Sequence, residues 1–130
     1  MPKMTQLTLT LESKPGVPAK ICRALADAGV NITAICAAET AGQGKIRMVV
    51  SDPARAKEVL KAAKLRCGEE TALQLTLEDR PGALARVAEK LAASKINIKC
   101  AYAITVGTGG TVTVVLSVAN ADKAAAVLGG

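Results

Sequence analysis

A chain of 130 residues that carries +6 at pH 7, is half hydrophobic, and contains one tyrosine but no Phe, Trp or His must build its core from Ala, Val, Leu and Ile. The missing histidine removes the usual zinc sites and the Ser-His and Cys-His pairs of nucleophilic catalysis, and no run approaches the ~18 apolar residues of a membrane span. Met1-Pro2-Lys3-Met4-Thr5 leads into a polar-alternating stretch and not the apolar region of a secretion signal, so a cytoplasmic location is expected, with no membrane partner.

Leu7, Leu9 and Leu11 alternate with Thr8 and Thr10, the period of a half-buried strand. The strand runs into Glu12-Ser13-Lys14-Pro15-Gly16-Val17, where Pro-Gly marks a turn. Beyond it Val17, Ile21 and Leu25, with Ala24 and Ala28 beside them, form the apolar stripe of a helix that Gly29 closes. Asn31 to Ala38 reads as a second strand, Glu39 to Gly44 as a hairpin loop, and Ile46, Met48 and Val50 as a third strand. Asp52 then caps a second helix with Pro53 in its first position, and Ala56, Val59, Leu60 and Ala63 supply its buried stripe. A brief fourth strand is expected over Leu65 to Cys67.

Shifting the chain by 66 residues restores the pattern, with about half the positions between Leu7 and Ile32 identical to those between Leu73 and Ile98. Leu73, Leu75 and Leu77 take the first strand, Ala83, Val87 and Leu91 the helix stripe, and Val112, Val114 and Leu116 the third strand. Asn120 caps a closing helix that runs to Leu128. Two repeats follow, 1–68 and 69–130, each β-α-β-β-α. The fold class is α+β: two ferredoxin-like units, helices on one face of an antiparallel sheet, the second lacking its last strand. That gap leaves an edge beside Leu73 to Leu77, expected to be covered by Leu65 to Glu70 or by a second chain.

The charge is uneven: eleven of the basic residues, against five of the acidic ones, lie at or before Arg66. Arg55, Lys57, Lys61 and Lys64 fall in one helix and read as a solvated face before they read as a nucleic-acid surface. Cys22, Cys36, Cys67 and Cys100 lack the spacing of a metal site and are expected to be small buried residues. The run Gly107-Thr108-Gly109-Gly110 joins two strands without opening a helix and lacks the P-loop lysine, so it reads as a hairpin.

Each Pro-Gly turn ends a strand and opens a helix, leaving unpaired N–H groups at the positive end of the helix dipole, a place for a small anion. The second turn is Glu78-Asp79-Arg80-Pro81-Gly82-Ala83, and the two are answered downstream by Asn31-Ile32 and Asn97-Ile98. On these residues the chain resembles a tandem pair of ACT domains, small regulatory modules that bind amino acids in biosynthetic enzymes and transcriptional regulators. The resemblance implies two units side by side with an effector at the seam, between the first turn of one and the second strand of the other. It carries over Glu12, Ser13, Lys14, Pro15, Gly16, Val17, Asn31 and Ile32, and Glu78, Asp79, Arg80, Pro81, Gly82, Ala83, Asn97 and Ile98. The pairing to look at first sets Asp79 to Gly82 against Asn31 and Ile32. Ser13 in place of Asp79, Pro18, and Lys95 in place of Gly29 depart from a common pattern.

A zwitterion offers a carboxylate to helix N–H groups or to Lys14 and Arg80, and an ammonium to Glu12, Glu78 or Asp79, with Asn31 and Asn97 orienting it. Each of these residues also has the plainer reading of a solvated charge or of a side chain bonding its own backbone. Cys36 and Tyr102 align in the second strands and either line the seam or pack. The expected function is a non-catalytic regulatory module for an amino-acid effector, needing no cofactor or metal, with an unidentified regulated enzyme and a second copy of the chain as partners. An RRM-like RNA-binding module shares the order of elements, but the strands around Leu7 to Leu11 and Lys45 to Val50 carry none of the aromatics on which bases stack, which disfavours nucleic acid. A purely structural assembly domain without ligand is the remaining alternative.

Overall fold

The computed structural model describes residues 3–12, 14–105 and 110–129. Ten elements follow in order: β1 Lys3–Glu12, α1 Val17–Asp27, β2 Ile32–Thr40, β3 Gln43–Val50, α2 Pro53–Ala62, β4 Gly68–Glu78, α3 Ala83–Ala93, β5 Ile98–Thr105, β6 Thr111–Val118 and α4 Ala121–Val127. They divide into two compact units. The first is Thr5–Glu70; the second takes Thr71 onward together with Lys3 and Met4.

In the first unit β3 pairs antiparallel with both β1 and β2, so β1 and β2, joined through α1, lie parallel with β3 between them. This is the split β-α-β expected from the sequence, and it places both helices on the face that presents Leu7, Leu9, Ile46 and Met48. Ile21 and Leu25 of α1 and Ala56 and Leu60 of α2 close that core. The second unit repeats it: β6 lies between β4 and β5, and Leu73, Leu75, Val114 and Leu116 meet Val87, Leu91 and Ala124.

The expected alignment holds through the second strand of each repeat and then slips. Leu9 faces Ile46, and its counterpart Leu75 faces Val114, which is 68 residues beyond Ile46 and not 66. The third strand of the second repeat is therefore equivalent at Val114, Leu116 and Val118. A two-residue shift leaves side chains on the same face, which is why alternation alone does not reveal it.

The caps follow the sequence where a side chain makes them. Asp52 Oδ1 accepts from Arg55 N–H at 3.1 Å, and Asn120 Oδ1 from Lys123 N–H at 3.0 Å. The same two basic residues tie the helices of each unit together: Arg55 Nε donates to Ala28 O at 2.7 Å, and Lys123 Nζ to Ser94 O at 3.0 Å. A cation at the carbonyl end of a neighbouring helix satisfies acceptors the helix leaves open.

Several expectations are corrected. No strand forms over Leu65 to Cys67; β4 starts at Gly68, and its first residues Gly68 to Glu70 belong to the first unit, with Glu70 accepting from Gln6 Nε2 at 2.6 Å and Arg47 Nε at 3.3 Å. What joins the second unit is the start of β1, where Lys3 Nζ binds the Asp122 carboxylate. The first hairpin loop contracts to Ala41 and Gly42, both at positive φ, because β2 and β3 pair as far as Thr40 and Gln43. The cysteines are not buried: Cys22 is exposed and the other three are half-exposed. Gly107, Thr108 and Gly109 lie outside the described residues.

Candidate functional site

The two Pro-Gly turns have one conformation. Gly16 has φ 91° and ψ −14°, Gly82 has φ 90° and ψ −11°, and each is the residue from which a helix starts. A side chain with a Cβ adopts this region only at a cost, so glycine allows the strand to break directly into the helix. These two helices differ from α2 and α4 in one respect: no side chain caps either of them. Val17 N–H reaches Lys14 O at 3.4 Å and Ala83 N–H reaches Arg80 O at 3.3 Å, both long bonds. Pro18 brings no N–H at all, whereas its counterpart Leu84 does.

Around each turn the charges also repeat. Lys14 Nζ stands 3.9 Å from Glu12, and Arg80 Nε 2.7 Å from Glu78, all four side chains mostly exposed. Exposed pairs of this kind contribute little to stability, so they are available to exchange partners. Asp79 is held through its backbone, its N–H donating to Gly110 O at 2.9 Å. Ser13 lies outside the described residues. Pro15 and Pro81 are exposed, and Val17 and Ala83 are half-buried as the first residues of α1 and α3.

Two concavities flank the first turn. The smaller, about 160 Å³, is walled by Leu11, Val17 and Ile46 on its apolar side, by Ala37 and Ala38 of β2, and by Glu12, Lys14 and Glu39. At roughly 30 Å³ per water it has room for a handful of heavy atoms. The larger, about 460 Å³, lies under the turn between Lys14, Lys20 and Leu65. The second turn has a cleft of about 340 Å³ that is more basic, with Arg80, Arg86 and Lys90 against Glu78.

Asn31 and Asn97 stand elsewhere in their own units. Each follows its helix at the end opposite the turn, and eleven residues of helix separate the two ends by about 16 Å. Their backbones fasten the start of the second strand: Asn31 exchanges bonds of 2.9 Å with Ser51, its N–H donating to Oγ and its carbonyl accepting from N–H, and Asn97 O accepts from Ala119 N–H at 3.2 Å. Their side-chain amides are exposed. Ile32 and Ile98 are half-buried and pack against their respective cores. Within one unit, then, the turn is brought together with the end of the second strand, Ala37 to Glu39, and not with the asparagine.

Ala37, Ala38, Glu39 and Ile46 were missed in the sequence. The signal was present in the hairpin: once the loop is known to be two residues long, Gly44 must pair with both Leu11 and Glu39, and the end of β2 comes beside the turn. Cys36 and Tyr102 occupy equivalent half-buried positions opposite Arg47 and Val115. Among the described residues no three Cys, Asp or Glu side chains gather as a metal site, and no helix is long and apolar enough to cross a membrane.

A family model for an ACT domain pair matches residues 2–129. Curated proteins give no match. Among solved structures, the chain is similar to a protein of Bacteroides thetaiotaomicron, with 32% identity over 97% of this chain and 86% of that one and a TM-score of 0.88. It shares the fold of the ligand-free regulatory subunit of aspartate kinase from Thermus thermophilus, at 20% identity over 95% of this chain and 87% of that one, TM-score 0.67. The corresponding subunit from Thermus flavus is 18% identical over the same shares of each chain, TM-score 0.67. The matched span takes in both Pro-Gly turns and every strand and helix described above, and on it the chain belongs to the family of ACT domain pairs.

Proposed function

We propose that the chain is a non-catalytic regulatory module whose turns bind a free amino acid, and that occupancy alters its contact with an enzyme it regulates. The observation that carries this reading is the concavity beside the first turn, which sets charges of both signs, Lys14 against Glu12 and Glu39, over an apolar floor of Leu11, Val17 and Ile46. A zwitterion with a short apolar side chain is complementary to that arrangement: its carboxylate meets Lys14 and the uncapped start of α1, its ammonium meets a glutamate. The shared fold with regulatory subunits of aspartate kinase supports a regulatory rather than a chemical role.

Binding to the native state alone raises stability by RT ln(1 + [L]/Kd), about 1.4 kcal/mol at ten times Kd. With unfolding entropy near 2.1 cal/mol/K per residue, that raises the melting temperature by about 5 °C. A thermal-shift panel of the proteinogenic amino acids at millimolar concentration is therefore decisive. At least one should shift the transition, and Ala38→Leu, which fills the concavity from an exposed strand position, should remove the shift while leaving the unliganded melt in place. A flat panel, or a shift that survives Ala38→Leu, refutes the assignment.

A further inference from the structure

A different concavity, of about 490 Å³, lies at the far end of α2 and is lined by Lys57, Lys61, Lys64, Arg66, Leu65 and Cys67. The three lysines stand at successive turns on one side of the helix and just past it, spanning about 10 Å. Lys64 adopts φ 62°, the left-handed conformation in which Leu65 N–H returns to Leu60 O at 2.8 Å. That closure turns the chain back beside the helix and brings Arg66 to the lysines. A glycine would make the same closure without strain, as Gly29 does after α1; here the position carries a cation.

The charges are unbalanced. Glu69 pairs with Lys57, and no ion pair engages Lys61, Lys64 or Arg66 among the described residues. Burial pushes the Cys67 thiol above its ordinary pKa, so it adds no negative charge. The fold does not require the cluster: α4 occupies the same place in the second repeat and covers its core with Ala125 where α2 has Lys57, and its cation Lys123 is spent on Ser94 O.

We propose that this concavity is a ligand site confined to the first unit, taking a small anion that carries two or more phosphate groups. Three cations without an ion pair among the described residues, beside Lys57 that Glu69 engages, match several negative charges on one compact molecule, whereas a single carboxylate would meet one of them. Lysines serve as point charges for phosphate oxygens, Arg66 can bind two oxygens at once, and Leu65 gives the remainder of the molecule an apolar edge. A nucleic-acid strand is the poorer fit, since no aromatic side chain lines the concavity to stack a base.

The test is isothermal titration of the full chain with sodium tripolyphosphate, inorganic phosphate and a short single-stranded RNA, at about 50 and about 300 mM NaCl, because phosphate contacts weaken with salt. Tripolyphosphate should bind saturably, one per chain, tighter than inorganic phosphate, and more weakly at the higher salt. Lys61→Ala with Lys64→Gly removes two cations and relieves the backbone, so this variant should melt no lower than the parent and bind at least about tenfold more weakly. Arg23→Ala with Lys45→Ala, an equal charge loss in the same unit outside the concavity, should bind as the parent does. Absence of saturable binding at the lower salt, equal weakening in both double variants, phosphate binding as tightly as tripolyphosphate, or RNA binding tighter than either with the same dependence on Lys61 and Lys64 would each overturn the proposal.

Discussion

Replacing Gly16 or Gly82 by alanine isolates the backbone requirement of the two turns. A Cβ at Gly16 would meet nothing within 4 Å, and one at Gly82 would stand 3.6 Å from Arg86 Nη1, an ordinary contact, so neither substitution creates a clash. The cost comes from φ near +90° at both positions. Holding a residue with a Cβ in the left-handed region costs about 1–2 kcal/mol, and the stiffer unfolded chain returns about 0.4–1 kcal/mol of it. The net loss is about 1 kcal/mol at each site. Unfolding entropy of about 2.1 cal/mol/K per residue amounts to about 0.27 kcal/mol/K for this chain, so each variant should melt about 4 °C lower by scanning calorimetry. The two positions share no partners and lie in separate units, so the double variant should lose about twice as much. An unchanged or higher melting temperature in either single variant would show that the turn does not hold its glycine left-handed. A much larger loss at Gly82 than at Gly16 would shift the cause to Arg86.

Gly68 permits the start of β4 to pass close over β1, since a Cβ there would lie 2.8 Å from Thr8 Oγ1. Gly68→Ala should cost about 1–3 kcal/mol in urea unfolding, with most of it recovered by adding Thr8→Ala; no recovery would mean that the crowding is not with Thr8. Ala41, at φ 53° before Gly42 at φ 79°, occupies a two-residue hairpin position that favours asparagine, so Ala41→Asn should raise stability by about 0.5–1 kcal/mol, and a lower unfolding midpoint would refute this. The Cys67 thiol is raised above 9.0 by burial first, and Lys57 above 10.5 by its hydrogen bond to Glu69 first. For both groups the unfolded chain releases its proton at lower pH than the native one, so their contributions are intact below those ordinary values and are lost as pH rises through the native ones. The melting temperature should begin to fall above pH 9, and Cys67→Ala should delay that onset toward the lysine range; an unaltered onset in the variant would remove Cys67 as its cause.

The fold was legible because the repeat supplied two independent readings of each element, and because Asp52-Pro53, Asn120 and both Pro-Gly pairs are local signals with local causes. Three features escaped. The slip from 66 to 68 residues is invisible to a period of two, and only the pairing of Leu75 with Val114 exposes it. The bonds from Arg55 and Lys123 to the ends of the preceding helices join residues about thirty apart and have no signature in either segment. The share of β1 and β4 between the units depends on how long strands are divided by contacts, which alternation along one strand does not specify. At the candidate site the turns themselves were read correctly as sharp strand-to-helix breaks. Their neighbours Ala37, Ala38 and Glu39 were not, because a small alanine-rich segment looks like any strand until its pairing is known.

The two turns share a backbone and differ in what they offer a ligand. At the first, Pro18 removes one of the helix N–H donors, and the adjoining concavity balances Lys14 against two glutamates over an apolar floor. At the second, Leu84 keeps the donor, while Arg80, Arg86 and Lys90 outnumber Glu78, and Arg86 lies close over Gly82. Arg80 and Arg86, near the positive end of α3, gain nothing from the helix dipole and repel one another, whereas Lys90 lies in its last turn; a negative group at the helix start would relieve both terms at once. The two repeats therefore share the glycine that the strand-to-helix break demands and differ in the charges that the break leaves exposed. Removing Arg86 from the second turn makes this separable. If the exposed charges set preference, Arg86→Ala should weaken any anion response of the second turn while the melting temperature rises or holds, because an unfavourable cation has been taken from the helix start. A fall of more than about 1 kcal/mol in unfolding free energy would instead show Arg86 to be a packing residue whose alkyl chain covers the turn.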